Sequence, residues 1–163
     1  MSAAAIPGLS VRLRNIAEMV TPGSRLADVG TDHAWLPVWL CKQGRINAAV
    51  AMDLREGPLA AARVHIREAG LEKKIAVRLS DGLRELKTGE ADCIVIAGMG
   101  GELIRRILAD DADRLHTYSE LILGPQSEPE KLKDRKEGTA PARAEELKKE
   151  EQLLAAALKR YEM

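Results

Sequence analysis

The sequence of 163 residues predicts one α/β domain built on a parallel sheet with helices on both faces, and three observations carry that reading. Short apolar runs alternate with segments of helical periodicity along the chain. Within each run apolar residues follow one another instead of alternating with polar ones, as in strands buried on both faces. The length suits one ordinary domain and is short for two. Right-handed crossovers between successive parallel strands then wind five strands into a Rossmann-like order, 3-2-1-4-5.

The elements follow in order. Leu9, Leu13, Ile16 and Val20 recur at helical spacing with Arg12, Arg14 and Glu18 between them, predicting an amphipathic helix that Thr21-Pro22-Gly23-Ser24 ends. Strands are expected at 25–29, 48–52, 75–79, 92–97 and 120–123. Helices are expected at 34–43, 58–69 and 102–110, with a shorter helical segment near Leu83 to Leu86. Beyond Pro125 the composition changes: Glu128 to Glu151 is dense in Lys and Glu and carries no β-branched run. From Ala142 a charged helix is expected, with Leu147, Leu154, Leu158 and Tyr161 on one side and Glu145 placed to pair with Lys149. The organisation is therefore a sheet domain at 1–127 and a helical tail at 128–163, the tail's stripe reading either as part of a solvated helix or as a self-association surface.

Lys and Arg number 25, as do Asp and Glu, so no global field draws the chain to nucleic acid; RNA would need a local patch. Arg12, Arg14, Arg25, Lys42 and Arg45 are the candidates for one, against the plainer reading of scattered solubilising charge. Cys41 and Cys93 lie far apart and His33, His65 and His116 are scattered, so neither a disulfide framework nor a metal site is expected. Met1 to Ser10 lacks the basic and apolar segments of a leader, and no stretch approaches the ~18 apolar residues of a membrane span. A cytoplasmic protein with no membrane partner is the expectation.

In a doubly wound sheet the ligand lies beyond the carboxyl ends of the strands. Gly30 follows the first strand, and Asp53 ends the second about 20 residues on, the spacing at which a carboxylate meets ribose hydroxyls. Asp81-Gly82 follows the third strand, and Gly98-Met99-Gly100-Gly101 the fourth, where missing side chains let a ligand lie against the backbone. Each has a plainer reading: tight turns for the glycines, a helix N-cap for Asp53, a turn residue for Asp81. Their joint placement after four successive strands is harder to assign to turns.

Two cofactor classes compete for such a sheet. A dinucleotide needs first-turn glycines to admit its pyrophosphate to a helix N-terminus. Here the turn reads Asp28-Val29-Gly30-Thr31-Asp32-His33-Ala34, and Asp32 sets a negative charge where phosphates would sit. That disfavours an NAD-linked oxidoreductase and favours a cofactor without phosphates, S-adenosylmethionine, whose cationic end tolerates Asp28 and Asp32.

Leu9-Ser10 with Arg12-Leu13, Ala27 to Ala34 with Leu36-Pro37, Ala51-Met52-Asp53 with Gly57-Pro58, Asp81-Gly82-Leu83, and Ile96 to Gly101 with Leu103-Ile104 together resemble the TrmK family. These are bacterial S-adenosylmethionine-dependent methyltransferases acting on N1 of the adenine at tRNA position 22. The likeness spans Leu9 to Gln126, and GTDHA followed by AGMGG, both on strand ends, is far narrower than a generic glycine motif. It implies a class I methyltransferase fold. It also implies a cofactor site formed by Asp28, Gly30, Asp53, Asp81, Gly82, Gly98 and Met99, and a substrate side including Arg12, Gly100 and Gly101.

Adenine N1 already carries an in-plane lone pair, so the enzyme has to align it with the methyl group and stabilise the developing cation. Asp32 is the candidate for that electrostatic or N6-contacting role and His33 for positioning; their plainer readings are a helix N-cap and a satisfied, partly buried imidazole. A flipped base needs a flat or apolar seat, for which Met99, Trp35, Trp39 and Tyr118 are available, both tryptophans also reading as core. The resemblance implies further strands and a helical RNA-binding domain after the fifth strand, and 128–163 departs from that pattern. The departure leaves a second reading open: a cofactor-binding, catalytically weak module that assembles through its tail.

Overall fold

The structure, a computed structural model, describes residues 9–126. The elements run α1 (Val11–Met19), β1 (Arg25–Val29), α2 (Trp35–Lys42), β2 (Ala48–Asp53), α3 (Glu56–Glu68), β3 (Ile75–Leu79), β4 (Cys93–Ala97), α4 (Gly101–Asp110), a 3₁₀ turn (Ala112–Thr117) and β5 (Glu120–Gly124). The five strands form one parallel sheet in the order β3-β2-β1-β4-β5, as the alternating pattern predicts. The expected tail helix and its apolar stripe lie outside the described residues.

The continuous apolar runs are explained by two cores. Ala27, Val29, Ile94 and Ile96 point to one face, where Ile104, Ile107 and Leu108 of α4 cover them together with Leu83 and Leu115. Leu26, Cys93, Val95 and Ile122 point to the other, under Ile16 and Ala17 of α1, Leu36 and Leu40 of α2, and Ala62 and Ile66 of α3. Neighbouring residues of one strand thus serve opposite layers, so a polar residue in mid-strand has no solvent to face.

Two local expectations are corrected. Leu83 to Leu86 forms a turn, not a helix: the Ser80 hydroxyl donates to the Gly82 carbonyl and accepts the Glu85 N–H, and Gly82 adopts φ +60°, so side-chain bonds replace a helical ladder. The turn buries Leu83 and Leu86, and Arg114 of the 3₁₀ segment donates to both their carbonyls. Tyr118, offered above as a seat for a base, is buried and donates its hydroxyl to Asp111 at 2.6 Å. Burial, followed by the Asp111 carboxylate beside it, raises the phenol above its ordinary range.

Helix α1 is what places Arg12 over the strand ends. Its N-cap is Ser10, whose hydroxyl accepts the Leu13 N–H at 3.1 Å, and its buried side meets β5 where Ile16 packs against Gly124. Ser10→Ala is expected to lower unfolding stability by about 1 kcal/mol, measured by urea denaturation, with far-ultraviolet dichroism otherwise unchanged.

Candidate active site

The carboxyl ends of the strands open into a cleft of about 730 Å³. Asp28, Gly30 and Asp32 reach it from β1 and its turn, Asp53 and Arg55 from the end of β2, Asp81 and Gly82 from the loop after β3. Gly98 and Met99 follow β4, while Arg12, Trp35 and Leu103 close the sides from α1, α2 and α4. Nine of the sequence-predicted site residues therefore meet in one place. Three do not line it: His33, Gly100 and Gly101.

The turn after β1 is built from backbone bonds to β2. Gly30 and Thr31 both donate their N–H groups to the Met52 carbonyl at 2.9 Å, and the Asp32 N–H donates to Asp53 Oδ2 at 3.2 Å. Asp32 and Ala34 sit at φ +57° and +61°, left-handed positions that cost on the order of 1–3 kcal/mol each in a residue with a Cβ. Ala34 occupies the N-cap position of α2 with no side-chain cap bond, so Asp32 does not cap this helix. Its carboxylate is 70% exposed and lies 3.4 Å from His33 Nε2.

Asp53 is likewise not an N-cap, because Arg55 holds that position in α3. Its two oxygens accept the N–H groups of Asp32 and Arg55, which brings a second carboxylate beside the turn. Asp28 is the third. It is buried, with Thr31 Oγ1 donating to its Oδ2 at 2.8 Å, and its pKa is pushed up to about 7. Burial is the main cause; the Asp53 and Asp32 carboxylates add to it, and the Thr31 bond works against it. Asp81 stands at the cleft's edge, its carboxylate loosely paired with Arg84 at 3.7 Å.

The glycines divide by role. A Cβ on Gly30, at φ +72°, would meet Met99 Cε at 2.6 Å, so the first turn packs tightly against the loop after β4. A Cβ on Gly98, at φ +80°, would stand 3.2 Å from the Arg12 guanidinium, which therefore lies over that loop. Gly100 is the N-cap of α4 and Gly101 its buried first residue, so both start the helix without lining the cleft.

Of the suggested basic patch only Arg12 is at the cleft. Arg25 begins β1 at the far end of the sheet, bonded to Asp92 and the Gly89 carbonyl, and Arg45 is tied to the carbonyls of Glu18 and Val20. Arg55, which the sequence did not single out, lines the opposite rim. Among the described residues neither Arg12 nor Arg55 makes an ion pair. Trp39 packs into the core, whereas Trp35 lines the cleft and stacks on His65 with centroids 3.9 Å apart.

A family profile described as "Methyltransferase domain" matches residues 9–157. The chain belongs to the methyltransferase-domain family. Within it, the likeness is to TrmK proteins. The tRNA (adenine(22)-N(1))-methyltransferase of Bacillus subtilis (strain 168) is 43% identical over 117 residues, 72% of this chain and 49% of that protein. The crystal structure of the B. subtilis m1A22 tRNA methyltransferase TrmK superposes with a TM-score of 0.73 at 41% identity, covering 77% of this chain and 53% of that one. M. capricolum TrmK, solved with S-adenosyl-homocysteine, gives a TM-score of 0.63 at 32% identity over 71% of this chain and 51% of that one. The chain spans about half the length of these relatives.

This methyltransferase domain holds its buried acid at a measurable cost. Asp28→Asn keeps an acceptor for Thr31 and removes the charge. Because Asp28 titrates near 7 when folded and from 3.8 when unfolded, the folded state retains a proton that the unfolded chain has lost across that window. Wild-type stability contributed by Asp28 therefore falls as pH rises through it. The melting temperature of Asp28→Asn, measured against wild type from about pH 4 to about pH 8, should gain steadily on it; a pH-independent difference would refute the assignment.

Proposed function

We propose that this chain is an S-adenosylmethionine-dependent methyltransferase whose substrate is N1 of the adenine at tRNA position 22. The observation that carries the reading is the set of carboxylates gathered at the strand ends, Asp28, Asp32, Asp53 and Asp81, in a cleft that Arg12 and Arg55 flank. Such a floor repels a pyrophosphate and suits a ligand that is cationic at one end and rich in hydroxyls elsewhere. The TrmK likeness, including a relative solved with S-adenosyl-homocysteine, supports the same cofactor.

Asp53 and Asp81 would hold the ribose and adenine of the cofactor, Asp28 and Asp32 its cationic end, with Gly30 and Gly98 leaving room for it against the backbone. Bound there, S-adenosylmethionine supplies an electrophilic methyl group. The chain has no proton to remove from adenine N1, so its work is orientation and charge. Asp32, exposed at the mouth, faces the position where positive charge grows on the adenine ring, and His33 braces that carboxylate at 3.4 Å. Trp35 and Met99 give the flipped base an apolar seat, and Arg12 and Arg55 meet RNA phosphates from opposite rims. No helix of the described residues is long and apolar enough to cross a membrane, and a tRNA substrate fits a cytoplasmic protein.

The test is transfer from labelled S-adenosylmethionine to unmodified tRNA, with the product located by nuclease digestion and mass spectrometry. N1-methyladenine at position 22 is expected; no transfer, or methylation of the exocyclic nitrogen, would sink the reading. Asp32→Ala should lower kcat by about ten- to a hundredfold. Asp53→Ala should instead weaken S-adenosyl-homocysteine binding about tenfold in calorimetry, by loss of charge-assisted hydrogen bonds.

A further inference from the structure

We propose that His65, which does not itself line the cleft, is a positioning residue that sets the geometry of Asp32 and His33 through a single hydrogen bond. The proposal rests on the methyl-transfer reading above. His65 projects from α3 and places Nδ1 2.8 Å from the carbonyl oxygen of His33. A carbonyl oxygen can only accept, so Nδ1 carries the hydrogen that it donates.

Three further observations give that bond its purpose. The carbonyl it holds lies between Asp32 and Ala34, the two non-glycine residues in left-handed conformation among the described residues. Their strain needs restraint from both sides, and the β2 side is already supplied by the bond from the Asp32 N–H to Asp53. On the α3 side the restraint is His65. Its ring is also sandwiched into an aromatic cluster, 3.9 Å from Trp35 and 5.5 Å from His33 between centroids, which fixes the imidazole's orientation and so the direction of the bond. Without the bond the peptide between His33 and Ala34 keeps only the Ala34 N–H bond to the Thr31 carbonyl at 3.1 Å, and the Asp32 carboxylate and the His33 ring beside it lose the restraint that fixes their place.

Two substitutions separate the hydrogen bond from the stack. Asn places an amide nitrogen where His65 holds Nδ1, keeping the donor and losing the ring. Phe keeps the ring and loses the donor. His65→Phe should lower kcat for tRNA methylation by about ten- to a hundredfold, since small misplacements of reacting groups have effects of that size. KM for S-adenosylmethionine should rise by no more than about fivefold, less than kcat falls, because Asp28, Asp53 and Asp81 still hold the cofactor and only Asp32 is displaced. His65→Asn should retain near-wild-type kcat. Equal activity in the two variants, whether both are normal or both are impaired, overturns the proposal, as does loss confined to Asn.

Amide hydrogen exchange reads the same bond without turnover. His65→Phe should speed exchange at Asp32 and Ala34 by about tenfold while the sheet amides keep their protection, and His65→Asn should not. If wild type transfers no methyl group, the functional reading fails and exchange alone decides the role of His65. Unchanged exchange in His65→Phe overturns it.

Discussion

The turn from Val29 to Ala34 is held by the backbone of the neighbouring strand, and the rest of the site depends on that hold. One carbonyl, that of Met52, accepts two successive N–H groups from the turn, and the next side chain along, Asp53, takes the third. In a parallel sheet the ends of β1 and β2 lie side by side, so the last residue of one strand is within reach of the loop leaving the other. The geometry that fixes the turn is thus the geometry that draws Asp53 toward Asp32 and Asp28. Carboxylates that would repel one another in an open chain are gathered because backbone bonds, not charge, determine where they stand.

That arrangement has an electrostatic consequence. With Asp28 buried and two acids nearby, the site prefers a proton or a cation to an anion. A cationic ligand relieves what the folded protein tolerates, so affinity and stability pull in opposite directions at the same residue. The left-handed residues at Asp32 and Ala34 carry a second, conformational cost of the same kind. Both costs are offset by the two layers of apolar side chains buried on either face of the sheet.

The fold and most of the site were legible in the residue order because they rest on local signals. Unbroken apolar runs mark strands covered on both faces, and residues on strand ends are placed by topology alone; Asp28, Gly30, Asp53, Asp81, Gly82, Gly98 and Met99 all reach the cleft by that rule. The misreadings share a cause. Leu83 to Leu86 has helical spacing, but Ser80 satisfies its backbone from outside. Tyr118 is aromatic and near the right elements, yet its segment turns it into the core, whereas Trp39 takes the core place that its spacing already favoured. Arg25 and Arg45 take the plainer reading given above, apart from the cleft and bonded to local partners.

By itself the sequence determined the sheet, its order and the family, since hydrophobic period, crossover handedness and the short motifs on strand ends are all properties of neighbouring residues. Only the tertiary structure decided what those motifs do. It made Gly100 and Gly101 the start of a helix, set Arg55 opposite Arg12, and brought His65 from α3 onto the carbonyl of His33. Contacts of that kind depend on how two helices lie against one sheet, and no spacing along the chain encodes the distance between a ring on one helix and a peptide in another element's turn.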